Sequence, residues 1–242
     1  MTFSPPLRLL IINPNTSKSI TESFKPHLAH LDLPNTILTY WTCPTGPSIL
    51  KTQADNISST LHSLLPLLSI AHLYDGFLIA CYADHMLTPL LQSFLGSKPV
   101  TGIFQASVFT ALRLLAPGYQ FGILTTGKPY EAMLAEGIKR LLSVEEMESF
   151  AGVAATGVGL DDLREERKEE LRGKIMKATR TLVAGGNVGV VCVGGVILAG
   201  CETWVRKGCV AELGVERGMR VVILEQMESG VKSLQGLIRR GA

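Results

Sequence analysis

Eight short runs rich in apolar and β-branched residues recur along the chain: LRLLIIN (7–13), NTILTYW (35–41), DGFLIAC (75–81), KPVTGIF (98–104), YQFGILTT (119–126), SFAGVAA (149–155), VGVVCVG (188–194) and MRVVILE (219–225). Longer stretches with helical periodicity separate them. That alternation predicts an α/β fold with mostly parallel strands. Several runs are apolar at consecutive positions, as expected where helices cover both faces of a sheet. The clearest helix is expected over 160–184, with Asp161 and Asp162 at its positive start and a charged, solvated face opposite Leu163, Leu171, Ile175 and Leu182. The Leu-rich stretch around 57–70 reads as a core helix, which Pro66 should end or kink.

Two of the runs look like internal counterparts. Asp75-Gly76-Phe77-Leu78-Ile79-Ala80-Cys81 lies without gaps over Gly189-Val190-Val191-Cys192-Val193-Gly194-Gly195, and a helical stretch follows each. Such a match predicts two similar halves sharing a ligand crevice at their seam. The two tips differ: one carries a thiol, the other a glycine.

Composition narrows the class of protein. The 242 residues are 46% hydrophobic and 18% charged, which suits a soluble globular chain with a sizeable core. A net charge of +2 without a Lys/Arg block gives no electrostatic case for nucleic acid or an anionic membrane, so a small molecule is the expected partner. The first residues, MTFSPPLRLLIINPNTS, have too short an apolar run for a signal peptide, and no stretch is long enough to span a bilayer, so a cytoplasmic location is expected. Five cysteines without a close pair argue against a disulfide framework. The absence of a CxxC and the unrelated histidine spacings argue against zinc.

Candidate chemistry gathers at the strand ends, which face the ligand crevice in α/β folds. Cys81 is followed by Tyr82, Ala83, Asp84 and His85, so thiol, carboxylate and imidazole lie close together. A helix beginning near Asp84 or a nearby imidazolium would lower the thiol pKa; a buried, inert cysteine is the structural alternative. Asn13-Pro14-Asn15-Thr16-Ser17 ends the first run, where Asn, Thr and Ser can cap the next helix or leave backbone N–H groups for an anionic or carbonyl ligand. The same two readings hold for Thr125-Thr126 and for Gly46-Pro47-Ser48. Cys192, inside its strand, and Cys201, on the following helix, are expected to be structural, and Cys43 and Cys209 carry no further signal.

These pieces resemble the aspartate/glutamate/hydantoin racemase superfamily, specifically its hydantoin and allantoin racemase branch, with the fungal allantoin-racemase-like proteins closest. The matching segments are IINPNTS (11–17), CPTGPSI (43–49), DGFLIACYADHML (75–87), PVTGIFQAS (99–107), FGILTT (121–126) and AGCE (199–202). The resemblance implies two pseudo-symmetric, doubly wound subdomains, here 1–101 plus 217–242 and 102–216, with the active site between them. It implies no organic cofactor, no metal and a possible homo-oligomer. In that family two cysteines move a proton to and from the carbon beside a carbonyl. The first falls on Cys81. Asn15, Ser48, Thr125, Thr126 and the backbone at Gly194 and Gly195 would meet the carbonyl or carboxylate groups of a hydantoin- or allantoin-like substrate.

The second thiol of the family motif falls on Gly195, and Gln105 stands where many relatives carry an acid. Three readings follow. One is a diverged one-cysteine decarboxylase, isomerase or lyase acting on a larger carbonyl substrate. Another is a racemase whose return proton comes from elsewhere, with His85 the nearest candidate. The third is a non-catalytic binder of a small metabolite.

Overall fold

The computed structural model describes residues 5–159, 162 and 167–241. The chain divides into two compact units, Met1–Ala106 with Met227–Ala242, and Ser107–Gln226. In the first unit the order is β1 (Leu7–Asn13), α1 (Lys18–Leu28), β2 (Thr36–Thr42), α2 (Gln53–Ile70), β3 (Gly76–Ile79), α3 (Leu87–Leu95) and β4 (Val100–Gly102). The division falls within α4 (Ile103–Leu114). The second unit continues with β5 (Gln120–Thr125), α5 (Pro129–Leu141), β6 (Phe150–Ala155), α6 (Lys168–Val183), β7 (Val188–Val193), α7 (Glu202–Leu213), α8 (Val215–Arg220) and β8 (Val222–Glu225). Helix α9 (Gln226–Gly241) returns the chain to the first unit.

Each unit holds one four-stranded sheet, and the two have the same winding: β2-β1-β3-β4 and β6-β5-β7-β8. Every strand pairing is parallel. Consecutive apolar residues make the central strands. Leu9, Leu10, Ile11 and Ile12 are all essentially inaccessible, as a strand covered on both faces requires. Burying each such side chain is worth about 1.5–3 kcal/mol. The first core collects Leu10, Ile12, Phe77, Ile79, Leu87 and Leu91; the second collects Leu124, Ile175, Val191, Val193, Val205 and Cys209.

Several boundaries differ from expectation, for physical reasons. Strand β8 pairs with β7, so the second unit extends to Gln226 and not 216, and the first re-enters at Met227. Ile103 and Phe104 belong to α4, which leaves β4 only three residues long. Asp161 and Leu163, at the start of the helix expected over 160–184, lie outside the described residues; α6 begins at Lys168.

Helix α2 enters the first core through Leu67, as expected, and also does more. It passes through Pro66 to Ile70, four residues further, and a short 3-10 turn follows at Ala71–Leu73. Its start is firm, because Thr52 and Asp55 form a reciprocal capping box. Its buried face, however, is largely polar: Asn56, Ser59, Thr60 and Ser63 are enclosed, whereas Leu61 and Leu65 are 71% and 74% exposed. Asn56, Ser59 and Ser63 turn inward because they have partners there, in the loops at the strand ends, while Thr60 donates to Asn56 O within the helix.

Candidate active site

The carboxyl ends of the first sheet form a crest built from three loops. Ala80 donates its N–H to Ile12 O (2.7 Å) and Cys43 to Asn13 O (3.0 Å), which carries the β1, β2 and β3 pairings past the strand ends. Asn13, fully buried, accepts the Asn15 N–H at Oδ1 (3.2 Å), and its Nδ2 lies within 3.1 Å of Asn15 Oδ1, Ser17 O and Thr21 Oγ1. Asn15 Oδ1 also accepts the Ser17 N–H (2.9 Å), so its own Nδ2 remains without a partner among the described residues. Ser17 caps α1 by accepting the Ile20 N–H, as the NPNTS sequence suggested. Thr16 donates to Pro47 O (3.1 Å), which brings exposed Ser48 beside the Asn15 loop.

Cys81 follows β3 by two residues and is half-buried, whereas Cys43, Cys192, Cys201 and Cys209 are all buried. It flanks the first core. Helix α3 starts only at Leu87, so Cys81 gains nothing from a helix beginning at Asp84. Burial pushes its thiol up to about 12, the reverse of the lowering expected from the sequence.

His85 does not take the proton-carrying place expected of it. Its side chain is 1% exposed and both ring nitrogens are engaged. Nδ1 accepts the Leu87 N–H (3.2 Å), and Nε2 lies 3.2 Å from Ser59 Oγ. Because the Ser59 hydroxyl donates to Pro14 O, it accepts from the imidazole, which fixes the Nε2–H tautomer. Burial lowers the His85 pKa to about 4, so the ring is neutral at ordinary pH. It ties the Cys81 loop to α2 and to the Asn15 loop.

Asn56, one turn before Ser59, completes that attachment: Nδ2 donates to Asp84 O (3.3 Å) and Oδ1 accepts the Met86 N–H (3.2 Å). Gln105 Nε2 donates to Asp84 Oδ1 (3.3 Å). Ser63 donates to Cys43 Sγ (3.2 Å). None of Asn56, Ser59 and Ser63 was singled out from the sequence. Their signal is a polar stripe at helical spacing inside a leucine-rich segment.

The second sheet has its own crest, with matching hydrogen bonds. Gly194 donates to Leu124 O (2.8 Å) as Ala80 does to Ile12 O, and Thr156 donates to Thr125 O (2.8 Å) as Cys43 does to Asn13 O. Ile79 pairs with Ile12, and Val193 with Leu124. Counting two residues on in each case makes Gly195 the counterpart of Cys81.

Thr125 is 3% exposed, so of the two adjacent threonines Thr126 is the one with an accessible side chain. Gly195 has a φ of +106°, and a Cβ there would stand 3.0 Å from Thr126 Cγ2. Its N–H donates to Gln226 Oε1 (3.0 Å) and its carbonyl accepts from Leu198 (2.9 Å). Cys192, within β7, is fully buried, and Cys201 directly precedes α7 without a side-chain capping bond, with burial and the neighbouring Glu202 charge raising its thiol to about 11. Among the described residues no His/Cys/Asp/Glu group is arranged to hold a metal ion, and no described helix is long and apolar enough to cross a membrane.

Known proteins share this architecture. An uncharacterised protein of Schizosaccharomyces pombe is 32% identical over 235 residues, covering 96% of this chain and 92% of that protein. The hydantoin racemase of Paenarthrobacter aurescens is 27% identical over 104 residues, covering 42% of this chain and 43% of its own. The crystal structure of allantoin racemase from Pseudomonas fluorescens superimposes with a TM-score of 0.80 at 21% identity, covering 97% of this chain and 92% of that one. The Asp/Glu/Hydantoin racemase model matches residues 9–232, and the chain belongs to that family.

Proposed function

We propose that this protein is an enzyme that uses Cys81 to move a proton at the carbon beside a carbonyl, on a hydantoin- or allantoin-like ring. One observation carries the reading: of five thiols, Cys81 alone is not fully buried, and it stands just past a strand end in a loop braced by Asn56, Ser59 and His85. Family membership supports proton transfer next to a carbonyl as the reaction type. The relatives' names support the ring as substrate.

In the reaction, the Cys81 thiolate takes the proton from carbon, forming S–H as the C–H bond breaks. The electron pair moves onto the neighbouring carbonyl as an enolate, and the proton returns from sulfur. A pKa of about 12 makes the thiolate a stronger base than an ordinary one, with about one part in 10⁵ ionised at pH 7. Hydrogen-bond donors aimed at the enolate oxygen lower the barrier; Asn15 Nδ2, in the same unit as Cys81, is the side-chain donor this reading assigns to it. Cys81 acting alone returns the proton to the face it left. Exchange with retained configuration is therefore its signature.

The test is NMR of enantiopure allantoin and 5-substituted hydantoins incubated with the protein in D₂O, followed by chiral analysis. Deuterium uptake is expected, rising about tenfold per pH unit below the thiol pKa, and falling about 10²–10⁴-fold in Cys81→Ser. Uptake with racemisation would identify a second proton carrier. Absence of uptake, or near-normal uptake by Cys81→Ser, overturns the reading.

A further inference from the structure

Gln226 is fully buried where β8 passes into α9, beside the second crest. Its Oε1 accepts the Gly195 N–H, which fixes the orientation of the amide, since turning it over would set an N–H against an N–H. Nε2 then has no hydrogen-bond partner among the described residues, although it is shielded from solvent. Leaving a buried donor unsatisfied costs about 1–3 kcal/mol, and such a group in a native structure calls for a partner. The partner must be an acceptor. It must also fit beside a residue without a side chain.

We propose that Gln226 is a substrate-positioning residue: Oε1 holds the Gly195 backbone, and Nε2 donates to a carbonyl oxygen of the ring. This inference rests on the hydantoin-like substrate class proposed above. Gly195 presents backbone and no side chain at the crest, and the Thr126 methyl stands 3.0 Å from where a Cβ would be. The second crest thus recognises a carbonyl with an amide donor at the position following β8, while Gly195 stands at the counterpart of Cys81. A carbonyl that reaches Nε2 does so away from competing water, where the hydrogen bond discriminates strongly between ligands with and without the acceptor.

Gln226→Glu separates the two tasks of the side chain. It keeps an oxygen for the Gly195 N–H and replaces the second donor with a group that donates only while protonated. Hydantoin binding to the full-length wild type, Gln226→Glu and Gln226→Met is measured by calorimetry from pH 6 to 9, with melting temperature recorded alongside. The expected result is a wild-type Kd that stays flat below the pKa of hydantoin, a Gln226→Glu Kd that rises at least tenfold as the introduced carboxyl ionises, and weak binding by Gln226→Met at every pH. A structural lock or an enclosed water on Nε2 would leave Gln226→Glu binding like wild type, and that result overturns the inference. Binding by wild type without deuterium exchange overturns the proton-transfer reading and leaves Gln226 in place. Failure of the wild type to bind any hydantoin overturns both.

Discussion

A thiol and a glycine occupy equivalent points of two sheets, and the difference between them reaches beyond the missing sulfur. Gly195 has a φ of +106°, a region L side chains rarely adopt, and the Thr126 methyl stands 3.0 Å from where a Cβ would be. Gly195→Cys is therefore expected to cost about 1–3 kcal/mol in strain, read as a lower denaturation midpoint. Thr126→Ser removes the methyl and should recover part of that loss in the double variant. Chiral analysis of the double variant then asks whether a thiol at 195 adds racemisation, and a folded, thiol-bearing protein with no gain would count against matching Gly195 to the family's second cysteine. The Cys81/Gly195 contrast was legible in the sequence because the two segments align without a gap. The backbone conformation was not, since a glycine gives no sign of its φ until its neighbours are placed.

Helix α2 shows how an element can be read correctly as part of the core, here through Leu67, and still hide a second role. Its existence and cap follow from Thr52, Asp55 and the apolar run, but leucine density suggested a core face, whereas the helix turns Asn56, Ser59 and Ser63 inward to bond the crest loops. Periodicity alone could not choose, because polar and apolar stripes have the same spacing and the partners lie far along the chain. The His85 contact with α2 has a measurable consequence. The folded state lowers the His85 pKa from 6.5 to about 4, so below pH 6.5 the unfolded chain binds a proton that the folded one excludes. Its contribution is fully present above pH 6.5 and declines by about 3 kcal/mol as pH falls to 4. Urea midpoints across that range should fall in the wild type and fall distinctly less in His85→Gln. Equal slopes would show that His85 is not the responsible group.

At the scale of the whole molecule, the α/β class and the parallel pairing could be read from eight apolar runs, and the two similar subdomains followed from the family resemblance. The point where the chain re-enters the first unit could not, because MRVVILE has a pattern that suits either sheet and only its pairing with β7 decides. Helix α9 is the returning piece. Its Met227, Val231 and Leu234 are buried, Gln235 reaches Thr36, and Gly230 lets it approach Leu78 and Ile103 so closely that an added Cβ would clash. Truncation after Gln226 should accordingly strip hydrogen-exchange protection from β1–β4 while β5–β8 stay protected. Uniform loss across both sheets would mean that the units fold as one.

The same connectivity sets a timetable during synthesis. The segment that contains β5–β8 is complete when residue 226 emerges from the ribosome, whereas the half made first must wait for the remaining fifteen residues of α9 to cover its sheet. The thiol-bearing crest is translated early and finished late. Until then, β3 is uncovered at Gly76 and Leu78, on the face that α9 will occupy, so the nascent chain is most open to mispairing of its strands before α9 arrives.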